Sequence, residues 1–267
     1  MKVKIAEERN LFLILKRAVI DIYNHLGYSL LISFLWFLPV FPLAVFINEM
    51  LRSFLNDPKY PLGLLLFLVA FGLPYAAFIL GPVHIALFYQ MNEVLNDDAR
   101  FKGFWEGLRK HYWLAVRVYA IYFGTLIFCL VDLLICFFTL NQFAIKIFGF
   151  LLFYLFLFLL FWGLYLPGFL VFQKNSLKKV FHKTFLVVLD NTLLTIGAFL
   201  LLILIGLAFS KITPLLVFFY GSFVLVVMIH LFNGVLAKYP DPVAPAPEEG
   251  DGQEGFLDAV EDPRKGE

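Results

Sequence analysis

The chain has 267 residues, of which 61% are hydrophobic and only 15% charged, and its mean hydropathy is +0.85. Apolar runs this long exceed what a soluble core helix needs, which excludes a soluble enzyme domain or a basic nucleic-acid-binding module and leaves a polytopic membrane protein. The net charge of +1 hides an asymmetry: residues 1–236 carry 18 Lys/Arg against 11 Asp/Glu, and residues 237–267 carry 3 against 9, giving a basic membrane body and an acidic tail.

In chain order, residues 5–25 open the molecule. Their apolar core is too short for a signal peptide, and charges follow it without a cleavage site. Leu11, Leu15, Ala18, Ile22 and Leu26 recur at helical spacing, with Lys16, Arg17, Asp21 and Asn24 on other faces. The pattern predicts an amphipathic helix at the membrane surface, the alternative being a plain cytosolic extension.

Six spans follow, at about 26–47, 62–89, 114–138, 147–172, 193–209 and 214–236. The first carries Trp36, Pro39 and Pro42, and a turn at 56–61 rich in helix breakers reverses the chain. The second exceeds the ~20 residues that cross a bilayer, so kinks are expected at Pro74 and Pro82, each of which lacks a backbone donor. Short turns at 139–146 and 210–213 make the last four spans two tight hairpins. Cys129 and Cys136 are seven residues apart on one helix, roughly 10 Å of rise, so no disulfide is expected.

Two further amphipathic stretches precede spans. At 100–113, Phe101, Phe104, Trp105, Leu108 and Tyr112 form an apolar stripe, with Lys102, Glu106, Arg109 and Lys110 between them; Trp113 leads into the bilayer. At 176–190 the stripe is Leu177, Val180, Phe181, Phe185 and Val188, opposite Lys178, Lys179, His182 and Lys183. Lysines beside anionic headgroups add about 1 kcal/mol each, so these segments are expected to anchor the chain to membrane lipids.

The three membrane entries align at Asn24, His111 and Asn191, close to eighty residues apart, and Pro82 and Pro167 fall at similar places in the second helices of the first two hairpins. The spacing predicts three repeats of surface helix plus hairpin. The fold expected is thus an all-α integral membrane protein with six transmembrane helices as three hairpins, each preceded by an amphipathic cytoplasmic interfacial helix, and a disordered, Pro-rich acidic tail at 237–267.

Orientation follows from the basic residues. Seventeen Lys/Arg fall on the side of the termini and of the second and fourth loops, and four (Arg52, Lys59, Lys146, Lys211) on the other. The positive-inside rule puts both termini in the cytoplasm of a multi-pass protein of the cell membrane.

The stretch 81–113, with Gly81-Pro82, Ala86-Leu87-Phe88, a short charged turn, Phe104-Trp105, Arg109-Lys110 and Trp113, resembles the YesL-like family of bacterial membrane proteins. Val83 and His84 depart from that family's small residues after the Gly-Pro step. The resemblance implies a multi-span bacterial protein of unknown biochemical function, often encoded beside sugar uptake and degradation genes. It carries no catalytic residue over.

Chemistry-bearing residues are few. No G-x-S-x-G, H-E-x-x-H or phosphate-binding glycine loop occurs, and no pair of histidines has metal-ligand spacing, so no catalytic residue, metal or cofactor is expected. His84 and His230 lie inside spans, where ionisable residues are costly, and with Asn233 they form the candidate polar cavity. His111 and His182 read as interfacial, and Asp132 as meeting water or Lys146 near the outer face. A non-enzymatic accessory or scaffold protein of the bacterial cytoplasmic membrane is the leading expectation, linked to sugar uptake and partnered by membrane lipids and another membrane protein or transport complex. The alternative is a transporter or channel for a small solute with a polar cavity near the cytoplasmic ends of its helices.

Overall fold

The computed structural model describes residues 10–56, 66–139, 142–173 and 175–239. The acidic tail beyond 239, most of the first turn, residues 5–9 of the opening helix and Lys174 lie outside them. All regular structure among the described residues is helical. Six helices are long and apolar enough to cross a membrane: Leu26–Glu49, Leu68–Leu95, Gly103–Phe138, Phe143–Trp162, Thr192–Ser210 and Thr213–Leu236. The chain is a multi-pass membrane protein.

Helix α1 (Leu11–Asn24) starts where the Asn10 side chain accepts the Phe12 N–H at 3.0 Å, a side-chain cap on an otherwise orphaned donor. It ends at a single non-helical residue, His25, and α2 (Leu26–Asn56) follows at once, running without interruption through Pro39 and Pro42. The later pair α7 (Leu177–Asp190) and α8 (Thr192–Ser210) repeats this geometry: fourteen residues, one hinge residue at Asn191, then a span. His25 and Asn191 share nearly the same backbone angles, φ −114°, ψ 40° and φ −124°, ψ 33°.

At the middle entry the structure differs from the expected pattern. Helix α4 (Gly103–Leu134) passes His111 without a hinge and continues as a wider π-helical turn, Ile135–Thr139. Nothing in HYWLAVRVY breaks a helix, so residues 103–113 and 114–138 form one continuous helix. Its 36 membrane-candidate residues rise about 54 Å, far beyond the ~30 Å of hydrocarbon, so a helix of this length must tilt or extend past the bilayer.

Helix α3 (Leu68–Leu95) is the irregular one. Its Pro74 and Pro82 each start an α-helical piece, and each is preceded by a π-helical turn, Leu68–Gly72 and Ala76–Leu80. The wider turns accommodate the missing donors while the helix continues. Past α5 (Phe143–Trp162), Pro167 does more than kink the expected span 147–172. The chain leaves the helix at 163–165 and restarts as α6 (Leu166–Val171), because proline at the first turn of a helix costs nothing whereas in an interior it clashes one turn back.

The last helix, α9 (Thr213–Leu236), is the hub and the most enclosed of the six spans. It packs on α1, α2, the C-terminal half of α3 and α6. Neighbours in sequence do touch within each expected hairpin, but the most extensive pairings, α3 with α4 and α2 with α9, run across hairpin boundaries.

Ser33 shows how α2 and α9 are joined. Its hydroxyl donates to the Val217 carbonyl at 3.1 Å and accepts from the Gly221 N–H at 2.9 Å, the two groups that a regular helix would bond to one another. An inserted hydroxyl opens the ladder, and the π-helical turn Leu216–Tyr220 is the result. Gly221 is what allows this approach: a Cβ there would lie 2.9 Å from Trp36 Cβ and 3.1 Å from Ser33 Cα.

The helical stripes are rotated relative to expectation. In α1 the face against the protein is Ile14, Ala18 and Ile22, while Leu26, expected on the same stripe, begins α2 and is exposed. In α7 it is Val180, Thr184, Val187 and Val188, with Phe185 turned outward. On these two helices the aromatic residues Phe12, Tyr23 and Phe185 stay largely exposed, which costs little where the surroundings are hydrocarbon. Cys129 and Cys136 are buried free thiols.

Candidate functional site

The connections at one end of the molecule converge. The α3–α4 turn brings Phe101 against Tyr28 at the start of α2, ring centroids 5.6 Å apart. Phe172, after α6, stacks between Phe88 of α3 and Phe232 of α9, at 5.6 and 5.4 Å. Asp190 receives both the Lys238 ammonium and the Tyr239 hydroxyl, tying the end of α7 to the end of α9. The turn after α3 is closed by bonds from Asp97 N to the Val94 carbonyl and from Asp98 N to the Glu93 carbonyl, with Asp97 in the left-handed region at φ 58°. An aspartate tolerates that conformation better than most side chains.

Lys16, Arg17, Arg100, Lys102, Arg109, Lys110, Lys178 and Lys179 are all exposed around this end, and Lys183 is half-buried there. The described basic residues of the opposite end are Arg52, Lys146 and Lys211. Trp105 and Trp113 are exposed on the outer face of α4, and Phe104 is partly buried. The anchoring residues differ in kind, however. Lys183 donates to Gln173 Oε1 at 2.6 Å and Asn175 Oδ1 at 3.0 Å, so it braces the α6–α7 connection instead of reaching outward. Lys110 lies over the Tyr89 ring at 5.3 Å. No ion pair joins Asp132 to Lys146 among the described residues.

His84, His230 and Asn233 do not form one cavity. His230 Nε2 meets Asp21 Oδ2 at 2.6 Å, a bond that fastens α1 to the hub helix, and Asn233, one turn further along α9, is exposed. His84 bonds instead to Trp36 of α2, a pairing between separate spans that sequence spacing does not reveal. His111, expected at the interface, is buried on α4 beside Tyr89, ring centroids 5.9 Å apart. It follows Gly103 and Gly107 at helical intervals, and this small-residue face draws α4 onto α3.

Of the three, His84 borders a cavity between the spans. Its Nδ1 accepts the Trp36 indole N–H at 3.0 Å, which leaves the neutral ring's proton on Nε2. A void of about 250 Å³ adjoins it, lined by Trp36, Pro39, Leu80, Tyr119, Tyr122 and Leu160 among others. The cavity lies where α2, α3, α4 and α5 meet, beside the π-helical turn before Pro82 and the helix break at Gly163. Two phenols, one imidazole and one indole in an otherwise hydrocarbon wall can hold a small, mostly apolar molecule by one or two hydrogen bonds. They offer no nucleophile–base pair, and among the described residues no three His, Cys, Asp or Glu side chains come together. Sequence reading had singled out His84; Trp36, Tyr119 and Tyr122 it had missed, since aromatic residues this frequent give no local signal.

Substituting His84→Leu is expected to lower stability by about 1–3 kcal/mol, because the Trp36 N–H loses its acceptor in an apolar site. Unfolding in mixed micelles measures it. Adding Trp36→Phe should recover part of the loss, and a double variant equal to the sum of its parents would refute the coupling.

Comparison with protein-family models, curated proteins and solved structures finds no match to this chain.

Proposed function

We propose that this chain is a non-enzymatic accessory or scaffold component of a bacterial cytoplasmic membrane, of the YesL-like kind, serving beside sugar uptake. In this reading the converged, basic end faces the cytoplasm, both termini lie there, and the partners are membrane lipids and another membrane protein or transport complex. The three membrane entries are copies of one device, the first and third keeping their surface helix hinged and the second having straightened it.

One observation carries the reading: polar groups within the spans are used to join and bend helices. Ser33 bridges α2 to α9, Tyr165 Oη meets Thr195 Oγ1 at 2.8 Å, and Thr125 bonds back to the Ile121 carbonyl at 2.8 Å. Groups so used cannot line a polar path, which transport of a hydrophilic solute requires. Charge available to a partner is concentrated at the basic end.

A second reading, a carrier for a small solute, is favoured by the His84 cavity. The test separates them. Cross-linking in native membranes followed by purification is expected to recover a defined partner, lost when Arg109 and Lys110 are both changed to glutamate. Proteoliposomes holding the chain alone are expected to show no flux of monosaccharides. Flux abolished by His84→Leu, with no partner recovered, would instead establish the carrier.

Topology can be checked on the same preparation. A cysteine placed at Asp97 in a chain whose own cysteines are replaced by alanine is expected to react with a membrane-impermeant maleimide only after the cells are opened. Labelling of intact cells would invert the orientation.

A further inference from the structure

We infer that the groove beneath α1 is a binding site for one acyl chain of an anionic phospholipid, whose phosphate meets Lys16. This stands independently of whether the chain is a scaffold or a carrier.

The groove has a volume of about 480 Å³ and is bounded by Leu15, Val19, Ile22 and Tyr23 of α1, Leu26 of α2, Ile205 and Phe209 of α8, and Phe219 and Phe223 of α9. Apart from the Tyr23 hydroxyl its walls are hydrocarbon. It opens between helices that cross the membrane, so what fills it comes from the lipid phase rather than from water.

Its depth suits one extended acyl chain. The Asp21–His230 bond sets α1 level with residue 230 of α9, and the lining runs eleven residues deeper to Phe219, a rise of roughly 16 Å, and on α8 to Phe209, near the far end of that helix. One end is therefore at the surface helix and the other past the middle of the spans, as for an extended chain hanging from a headgroup.

Charge selects the headgroup. At 100° per residue, Lys16 falls on the flank of α1 shared with Phe12, Val19 and Tyr23, the exposed edge of the groove, whereas Arg17 and Asp21 point to other faces. Lys16 is exposed and makes no ion pair among the described residues. An ammonium at the mouth of a hydrocarbon slot, with the Tyr23 hydroxyl on the same flank, complements a phosphodiester with its tail below. The protein-facing stripe Ile14, Ala18 and Ile22 and the Asp21–His230 bond hold α1 in place, so the groove keeps its shape when a lipid leaves.

Native mass spectrometry of the full chain in detergent, with dioleoylphosphatidylglycerol or dioleoylphosphatidylcholine added after delipidation, tests the site. One phosphatidylglycerol is expected to be retained, about fivefold more tightly than phosphatidylcholine, the factor one lysine supplies near an anionic headgroup. Lys16→Glu should abolish that preference, while Arg17→Glu, the same charge change on another face, should leave it. Val19→Trp, which fills the groove from an exposed position, should lower retention of both lipids at least fivefold. Equal retention of the two lipids by the unaltered chain, equal effects of the two glutamate variants, or undiminished binding by Val19→Trp would each overturn the assignment. Circular dichroism melts that match the unaltered chain confirm that each variant is folded.

Discussion

Gly221→Val is expected to be among the most damaging single substitutions in the membrane body, lowering the unfolding free energy by about 3 kcal/mol, the upper part of the range for overpacking. A Cβ would lie 2.9 Å from Trp36 Cβ, closer than side chains come, and 3.1 Å from Ser33 Cα, a tight contact, and both neighbours belong to the helix that α9 must pack on. The strain cannot be relieved by a rotamer change, since one obstacle is main chain. The local hydrogen bonding fails with it, because Ser33 can no longer reach the Gly221 N–H and the Val217 carbonyl. Ser33→Ala should cost only about 1 kcal/mol, because α9 can then close its own regular bond across the former π-helical turn. Unfolding followed by circular dichroism in mixed micelles ranks the two. A Gly221→Val loss no larger than that of Ser33→Ala would show that close approach is not what the glycine supplies.

The second large effect is expected at the latch between α1 and α9. Removing either side chain of the Asp21–His230 bond leaves the other without its partner in a half-covered site, and a hydrogen bond to a charged group contributes about 1.5–3 kcal/mol. His230→Ala and Asp21→Ala should each cost in that range, and the double variant distinctly less than their sum. The effect should be visible locally: amide exchange in α1 should speed up more than exchange in α9, because the bond and a short apolar stripe are what hold a fourteen-residue helix whose isolated form is marginal. Uniform acceleration across both helices would count against a latch.

Neither effect could be anticipated from local pattern. Ser33 lies 184 residues from Val217, and Asp21 lies 209 residues from His230. Periodicity registers only partners on one turn or the next. What it registered well was the number of spans, since about twenty consecutive apolar residues carry the same meaning wherever they occur. The prolines were legible as well, although what each produced depended on its setting. Pro74 and Pro82 are accommodated by wider turns, Pro39 and Pro42 lie within one continuous helix, and Pro167 starts a new helix after the break at 163–165. For His84 the sequence identified a costly residue inside a span and no more. Its partner Trp36 comes from another span, and its separation from His230 was decided by the direction each side chain takes on its own helix.

Hydropathy thus determined by itself that this chain is a multi-pass membrane protein whose described residues are helical, with six helices long and apolar enough to cross a bilayer. The bilayer permits few alternatives: backbone groups must be satisfied within each segment, and each segment must be long enough to cross. Tertiary structure alone decided which helix became the hub, where the cavity beside His84 opened, and which faces stayed exposed. Those outcomes depend on close approach at positions such as Gly221 and Gly107 and on single hydrogen bonds between distant residues. In hydrocarbon, where apolar surface gains little by touching another helix, such contacts choose among packings that the sequence pattern leaves equal.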